Sequence, residues 1–123
     1  MTKELSCSKD RSEEIAALLQ ELQTVFPVLK AIGDDTRQQI LLVLLEDTDR
    51  SSGGMRVGEV ARRLNLSRPA VSHHVKILMD YKLLSMRREG TRNFYYFNPD
   101  RELIRTLISL LCRAENLLPA DPA

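Results

Sequence analysis

The 123-residue sequence predicts a mainly α-helical domain with one small β-hairpin, an α+β fold. Apolar residues recur at helical spacing along most of the chain, which indicates several amphipathic helices. The period changes after Leu83, where two short strand-like segments flank a turn that contains a glycine. A hydrophobic content of 43% at this length supports one compact core, so we treat residues 1–123 as a single domain.

Residues 1–32 predict N-terminal helices. Ser12 is a suitable N-cap, and the acids that follow it suit the positive end of a helix dipole. Pro27 is expected to end or kink this helix, because proline lacks the amide hydrogen that a helix interior needs. A second short stretch then leads to Ile32.

A further helix follows Gly33. Asp34 or Asp35 can cap its N-terminus. Its apolar residues are continuous over 40–45, which predicts the central buried helix of the domain. The polar segment 47–54, DTDRSSGG, is expected to be an irregular loop.

A helix-turn-helix is predicted over residues 57–80. Its first helix ends at Asn65, since asparagine tolerates the left-handed conformation that a tight turn requires. Ser67 is a suitable N-cap for the second helix, and Pro69 falls in the first turn, where no amide hydrogen is needed. The buried arc of the second helix is formed by Val71, Val75, Leu78 and Met79. Its opposite side is polar, as in a helix that lies in a DNA groove.

A β-hairpin is predicted directly after this second helix, over residues 83–98. The segments 84–88 and 93–97 favour strands, and the aromatic second segment suits a strand that packs on both faces. Gly90 supplies the turn conformation. A hairpin in this position is the wing of a winged helix-turn-helix, with arginines near its tip.

The last helix, predicted over residues 100–118, is apolar around more than half of its circumference. A small single domain cannot bury that much apolar surface by itself. We therefore expect a homodimer in which this helix and the helices of residues 1–32 form the subunit interface.

The net charge of +1 hides an uneven distribution. Residues 56–92 contain nine basic and three acidic residues, whereas residues 1–55 are rich in acids. A basic segment that coincides with a helix-turn-helix is the expected footprint of a nucleic-acid-binding face. Duplex DNA is therefore the expected partner. The candidate contacts are Ser67, Arg68, Ser72, His73, Lys76, Arg87, Arg88 and Arg92.

Each candidate has an expected role on DNA. Arg68 is suited to bind guanine through two hydrogen bonds. Ser67, Ser72 and His73 are expected to contact bases or phosphates. Lys76 and the wing arginines are expected to add sequence-independent affinity. In a dimer the two recognition helices enter successive major grooves about 34 Å apart, which predicts an operator that is an imperfect inverted repeat.

Four stretches of the sequence resemble the ArsR family of bacterial winged helix-turn-helix repressors. They are LKAIGDDTR at 29–37 with the following Ile-Leu, the run 60–78 that contains SRPAVSHHV, RREG at 87–90 and the tyrosine pair at 95–96. The resemblance covers about residues 28–111. It implies a dimeric transcriptional repressor that leaves its operator on sensing a metal, a metalloid or an oxidant.

The chain departs from the sensor sites of the best-known members of that family. No cysteine occurs at 55–61, where many members carry a Cys-x-Cys pair, and no histidine occurs at 101–118, where others bind zinc. The neighbouring His73 and His74 point about 100° apart on a helix, which is unsuitable for chelating one ion. We therefore expect no metal site and no cofactor, and the inducer stays unknown.

The two cysteines are Cys7 and Cys112. If the chain ends pair across a dimer, the thiols can approach each other and form a redox or soft-metal switch. The alternative is that Cys112 is a small buried hydrophobe and Cys7 lies on a frayed terminus. A repressor without any inducer is also compatible with the sequence.

Other functional classes fit the sequence less well. It has no phosphate-binding glycine loop, no nucleophile elbow and no acid–base cluster, so no enzymatic activity is expected. No secretory signal or apolar run of membrane-spanning length is evident, which predicts a cytoplasmic protein without a membrane partner. The remaining alternative is a winged helix that binds other proteins rather than DNA.

Overall fold

The computed structural model describes residues 7–49 and 53–119, and of residues 7–10, 48 and 49 it describes the backbone only. The elements are helices α1 (Cys7–Ile32), α2 (Asp35–Asp49), α3 (Val57–Leu64) and α4 (Arg68–Asp80), strands β1 (Leu84–Glu89) and β2 (Arg92–Phe97), and helix α5 (Arg101–Leu117). The predicted class, mainly α with one β-hairpin, is confirmed. The helix-turn-helix is α3 and α4, and the wing is β1 and β2.

One apolar core lies between α2, α3, α4 and the wing. The residues that are completely buried in it include Ile40, Leu44, Val71 and Leu78. Helix α2 is central, as predicted, but it is not buried all round, since Leu42 and Leu45 are 59% and 48% exposed. A helix with neighbours on one side buries only the residues of one face, however apolar the rest of its sequence is.

Helix α1 is continuous, which corrects the prediction in two respects. It begins at Cys7, before the expected cap at Ser12, and Pro27 does not end it. The proline removes a hydrogen bond to the Gln23 carbonyl, but both residues are exposed, so solvent can satisfy that carbonyl. On both sides of the proline, buried residues hold the helix against its neighbours: Val25, Val28 and Ala31.

The segment between α1 and α3 agrees with the prediction at the start of α2 and differs from it at the end. Of the two predicted caps, Asp34 and Asp35, it is Asp34 that caps α2, because its Oδ2 accepts the backbone N–H of Arg37 at 3.0 Å. The first three residues of the expected 47–54 loop are helical, and Asp47 is buried. Residues 50–52 lie outside the described part of the chain.

Met55 forms a bridge to the wing that the sequence did not predict. Its backbone N–H and carbonyl each make a 2.8 Å hydrogen bond with Tyr95. Gly54 before it has a φ of 111°, and a Cβ there would lie 2.8 Å from the Tyr95 carbonyl oxygen. The bridge therefore requires glycine at position 54, and it ties the segment after α2 to β2.

The turn of the helix-turn-helix has the predicted chemistry. Asn65 adopts the left-handed conformation, with φ 56° and ψ 49°. The Ser67 hydroxyl accepts the backbone N–H of Ala70 at 3.2 Å, and Pro69 lies in the first turn of α4. The Ser67 cap and Pro69 fix the start of α4 relative to α3.

The wing is an antiparallel pair that runs from Leu84 opposite Phe97 to Glu89 opposite Arg92. Each strand is one residue longer than predicted. The remaining two-residue turn begins at Gly90, whose φ of 62° suits glycine.

Helix α5 packs on α1 through polar contacts as well as apolar ones. Asp100 caps its N-terminus by accepting a backbone N–H from the first turn at 3.1 Å. Arg113 forms an ion pair with Glu21 of α1. Arg11 donates a 3.1 Å hydrogen bond to the carbonyl of Leu117, at the other end of α5. The two helices therefore form one unit within the subunit.

Both helices leave a stripe of large apolar side chains exposed. The α1 stripe is Ile15, Leu19, Phe26 and Leu29, and the α5 stripe is Ile104, Ile108, Leu111 and Leu118. Their members recur at intervals of three, four or seven residues, which is the spacing of a helix face that packs on another helix. Within the described part of the chain, nothing covers either stripe.

One segment, Arg11–Ile32 of α1, is long and apolar enough to cross a bilayer by length and composition alone. Its apolar residues are not contiguous in the sequence, since polar side chains such as Gln20 and Glu21 interrupt them. Interior helices of water-soluble proteins can have the same length and apolar composition. In this chain the segment packs on α2, α4 and α5.

Candidate nucleic-acid interface

A groove of about 390 Å³ separates the helix-turn-helix from the wing. Its lining includes Arg56, Arg68, Ser72, Arg92 and Tyr95, so residues from the start of α3, from α4 and from the wing face each other across it. Three arginines on one concave surface give it a strongly positive potential. Such a surface is suited to bind the sugar–phosphate backbone of DNA.

Arg68 is the first residue of α4 and is exposed at the mouth of the groove. Its guanidinium group lies on the backbone of Gly58, where a Cβ would come within 3.0 Å of Nη2. The absence of a side chain at Gly58 therefore makes room for the arginine. The N-terminal residues of a recognition helix are those that contact base edges.

Two arginines that were not among the predicted contacts lie beside Arg68. Arg56 and Arg62 line a smaller hollow of about 200 Å³ together with Gly58, Glu59 and Arg68. The Glu59 carboxylate accepts the backbone N–H of Arg56 at 3.4 Å, so this contact does not use the guanidinium group of Arg56. Both belong to the basic segment 56–92, and only that charge count could have indicated them.

The outer face of α4 presents the predicted polar residues. Ser67, Ser72, His73 and Lys76 are all exposed. The hydroxyl of Ser67 is engaged as the helix cap. Lys76 lies 3.9 Å from Asp80 one turn further along, and both side chains are more than 60% exposed. An exposed pair of this kind is worth little, so Lys76 can exchange it for a phosphate.

The three wing arginines differ in exposure and in their contacts. Arg88 and Arg92 are exposed, and Arg92 lines the groove. Arg87 is held within the protein: it donates to the Gly53 carbonyl at 3.0 Å, forms an ion pair with Glu89 and lies 4.8 Å from the centre of the Phe94 ring. Its charge is therefore already paired, and its side chain connects the middle of the wing to Gly53.

The structure describes only one of the two possible sensor thiols. Cys112 is an exposed free cysteine on α5, and the side chain of Cys7 lies outside the described part of the chain. The rings of His73 and His74 meet edge to face with centroids 5.2 Å apart. Within residues 7–49 and 53–119, no group of three histidine, cysteine or acidic side chains is placed to hold a metal ion.

Comparison with known proteins identifies the family. Residues 32–87 match the model of a helix-turn-helix domain. The chain is 34% identical over 93 residues to an uncharacterised HTH-type transcriptional regulator of Methanocaldococcus jannaschii, covering 76% of this chain and 97% of that one. It is 32% identical over 79 residues to the arsenical resistance operon repressor of Staphylococcus aureus, covering 64% and 67%. The chain belongs to the ArsR family.

A solved structure agrees with this assignment. The homodimeric winged helix-turn-helix DNA-binding domain from Mycobacterium bovis, described as a possible ArsR-family regulator, matches with a TM-score of 0.54. The two sequences are 27% identical, and the match covers 88% of this chain and 91% of that domain. This ArsR-family chain is thus a DNA-binding transcriptional repressor, and a module that binds only proteins is not favoured.

Proposed function

We propose that the dimer represses transcription by binding an operator that is an imperfect inverted repeat. The main support for this proposal is the basic groove between the start of α4 and the wing. A twofold dimer places two such grooves about one helical turn of DNA apart. Each half of the operator then meets one recognition helix and one wing. A regulator of this kind acts where the DNA is, so we place it in the cytoplasm.

The subunit interface that we propose consists of the α1 stripe and the α5 stripe. Both are exposed in the single chain, and both have the spacing of helices that pack on other helices. A twofold interface pairs the same surface from each subunit. Covering both stripes removes the largest apolar surfaces that α1 and α5 leave exposed.

On DNA, we propose that α4 determines sequence and that the surrounding arginines determine affinity. Arg68 binds a guanine, and Ser67, Ser72 and His73 contact neighbouring bases or phosphates. Phosphate and minor-groove contacts come from five further residues: Arg56, Arg62, Lys76, Arg88 and Arg92. Arg87 holds the wing in place through Gly53, and its charge is paired with Glu89 within β1.

The test is the salt dependence of binding, measured by fluorescence anisotropy with a duplex from the region upstream of the gene. Each neutralised phosphate contributes a slope of about 0.9 in a plot of log affinity against log salt. Arg92→Gln is expected to lower the slope by about two, since the dimer carries two copies.

Lys30→Gln is the matched control for this test, because Lys30 is exposed on α1, away from the groove. It is expected to leave the slope unchanged. Equal slopes for wild type, Arg92→Gln and Lys30→Gln would contradict the placement of the DNA in the groove. An affinity that does not depend on salt or on DNA sequence would contradict the proposed function as a whole.

A thiol signal is the regulatory proposal that this chain supports best. Cys112 is exposed and lines an apolar hollow of about 480 Å³ with Leu111, Ala114 and Leu118, beside the α5 stripe. Oxidation there, by pairing with Cys7 or with another thiol, would act directly on the proposed subunit interface. A metal or metalloid bound by the same thiols is the related alternative, and a repressor without an inducer is the other.

For the thiol switch, mild oxidation is expected to weaken operator binding of the wild type by about tenfold or more. This lies within the range of about 5–150-fold that is typical of allosteric coupling. Cys112→Ser is expected to bind equally well before and after oxidation, and Cys7→Ser does so as well where Cys7 is the partner thiol. Anisotropy under reducing and oxidising conditions measures the change. Serine variants that respond as the wild type does would rule out these thiols as the sensor.

A further inference from the structure

A cluster of three polar side chains lies behind the recognition helix, on the side away from the proposed DNA contacts. Arg37 of α2 lies with Nη1 3.1 Å from Nδ1 of His74 on α4. Asp34, in the turn between α1 and α2, lies with Oδ2 3.9 Å from the same nitrogen. The His74 side chain is only 19% exposed, whereas His73 next to it is exposed.

Arg37 also holds the end of helix α1. Its Nε donates to the Ala31 carbonyl at 2.5 Å, in the last turn of α1. Its backbone N–H donates to Asp34, the cap of α2. One guanidinium group thus connects the end of the α1 helix, which carries the α1 stripe, to the middle of the recognition helix.

The contact between Arg37 and His74 fixes the protonation state of the histidine. An arginine can only donate hydrogen bonds, so Nδ1 of His74 must be the acceptor. The ring is then neutral, with its proton on Nε2. A proton added to Nδ1 removes this acceptor and places two positive charges about 3 Å apart. The protonated nitrogen has one alternative partner in the cluster, the carboxylate of Asp34.

We infer that Arg37 is a positioning residue for DNA binding, which holds α4 against the end of α1 through the neutral ring of His74. Proton uptake by His74 breaks this contact and releases α4 from Arg37. The inference rests on the proposed use of α4 as the recognition helix. A tilt of α4 of even a few degrees moves its N-terminal residues relative to the base edges that they contact. Acidification is therefore expected to weaken specific binding through His74.

The groups in contact with the His74 ring are Arg37 from α2, Asp34 from the α1–α2 turn and His73 from its own helix. The backbone N–H of Arg37, followed by the charge of its guanidinium group, holds the pKa of Asp34 below its ordinary value of 3.8, although desolvation opposes this. Asp34 therefore stays ionised between pH 5 and 8, and its contribution to stability is lost only as the pH falls through that lowered pKa. Asp34 therefore does not account for a change in binding between these pH values.

The two histidines are expected to act with opposite signs. His73 lies on the DNA side of α4, so its protonation adds a positive charge near the phosphates and strengthens binding. His74 lies on the opposite side, where protonation breaks the contact with Arg37. His73→Gln therefore removes the opposing effect and serves as the background for the test.

The experiment measures operator affinity by anisotropy at pH 5.5 and pH 8 at fixed ionic strength. His73→Gln is expected to bind about fivefold or more weakly at pH 5.5 than at pH 8, at the lower end of typical coupling. His73→Gln with His74→Asn is expected to show no such loss, because the asparagine oxygen can accept from Arg37 and does not titrate. His73→Gln with Arg37→Met is expected to bind more weakly at pH 8 and to lose the pH dependence.

A purely structural role for Arg37 would give a different pattern. Arg37→Met would then lower the unfolding temperature and the affinity but keep the pH dependence, which would overturn the inference. Nitrogen NMR shifts of His74 in the wild type provide a second measurement, which does not depend on the stability of any variant. We expect the neutral ring to carry its proton on Nε2, and a proton on Nδ1 would overturn the inference as well.

The outcomes also separate this inference from the proposed function. Specific binding that is equal at both pH values in His73→Gln would overturn the inference alone. The absence of specific binding at pH 8, with the wild type as well as with His73→Gln, would contradict the proposed function and this inference with it.

Discussion

Replacing Ile108 by glutamate is expected to convert the dimer into monomers and to weaken operator binding by about 100-fold or more. Ile108 lies in the middle of the α5 stripe and is 56% exposed in the single chain. Twofold symmetry places two copies in the interface, so the variant brings two carboxylates into an apolar contact. A monomer holds only one half of the operator, and it loses the gain in affinity that two linked contacts provide.

Ser109→Glu is the matched control, since it places the same charge one residue further along α5, outside the stripe. Light scattering after size exclusion measures the mass of each variant, and anisotropy measures operator affinity. Circular dichroism should show that both variants remain folded, because Ile108 is not part of the buried core. A dimeric Ile108→Glu protein would show that the interface lies elsewhere.

The elements that the sequence predicted well are those that local rules determine. The left-handed Asn65, the Ser67 cap and the turn at Gly90 each depend on the chemistry of one or two residues. The change from helical to strand spacing after Leu83 depends on several residues in one short segment. Tertiary contacts do not alter either kind of signal in this chain.

The structure differs from the predictions, or adds to them, where tertiary contacts outweigh a local rule or join residues that are distant in sequence. Pro27 disfavours a helix, yet the buried residues on both sides of it keep α1 continuous. The bridge between Met55 and Tyr95 involves a single residue on one side, so it leaves no periodic pattern to detect. Gly54 belongs to the predicted loop, but its need to avoid the Tyr95 carbonyl depends on the folded structure.

In the candidate site, too, local features could be predicted from the sequence, whereas contacts between distant residues could not. Period-two alternation places Arg87 and Arg88 on opposite faces of β1, and this could have been predicted from the sequence. That Arg87 pairs with Glu89 and with the Gly53 carbonyl could not, because position 53 is distant in sequence. Arg56 lies outside the helix-turn-helix pattern, and only the folded chain brings it beside Arg68.

Arg68→Met is expected to remove most of the sequence specificity of the protein and to leave its stability and dimeric state unchanged. A bidentate contact between arginine and guanine is worth about 1–3 kcal/mol of discrimination, which corresponds to roughly 5–150-fold for each half of the operator. Arg68 is exposed, and in the free protein its guanidinium group lies on Gly58, so its loss creates no cavity in the core.

The decisive comparison for Arg68 is between the operator and an unrelated duplex of the same length. Arg68→Met should bind both with similar affinity, whereas Lys76→Gln should weaken both by the same factor and keep their ratio. Arg68→Lys retains the charge but not the paired donors, so it should restore affinity for the unrelated duplex without restoring the ratio. If Arg68→Lys recovers full specificity, Arg68 contributes only its charge, and the residue that selects the base lies elsewhere on α4 or the wing.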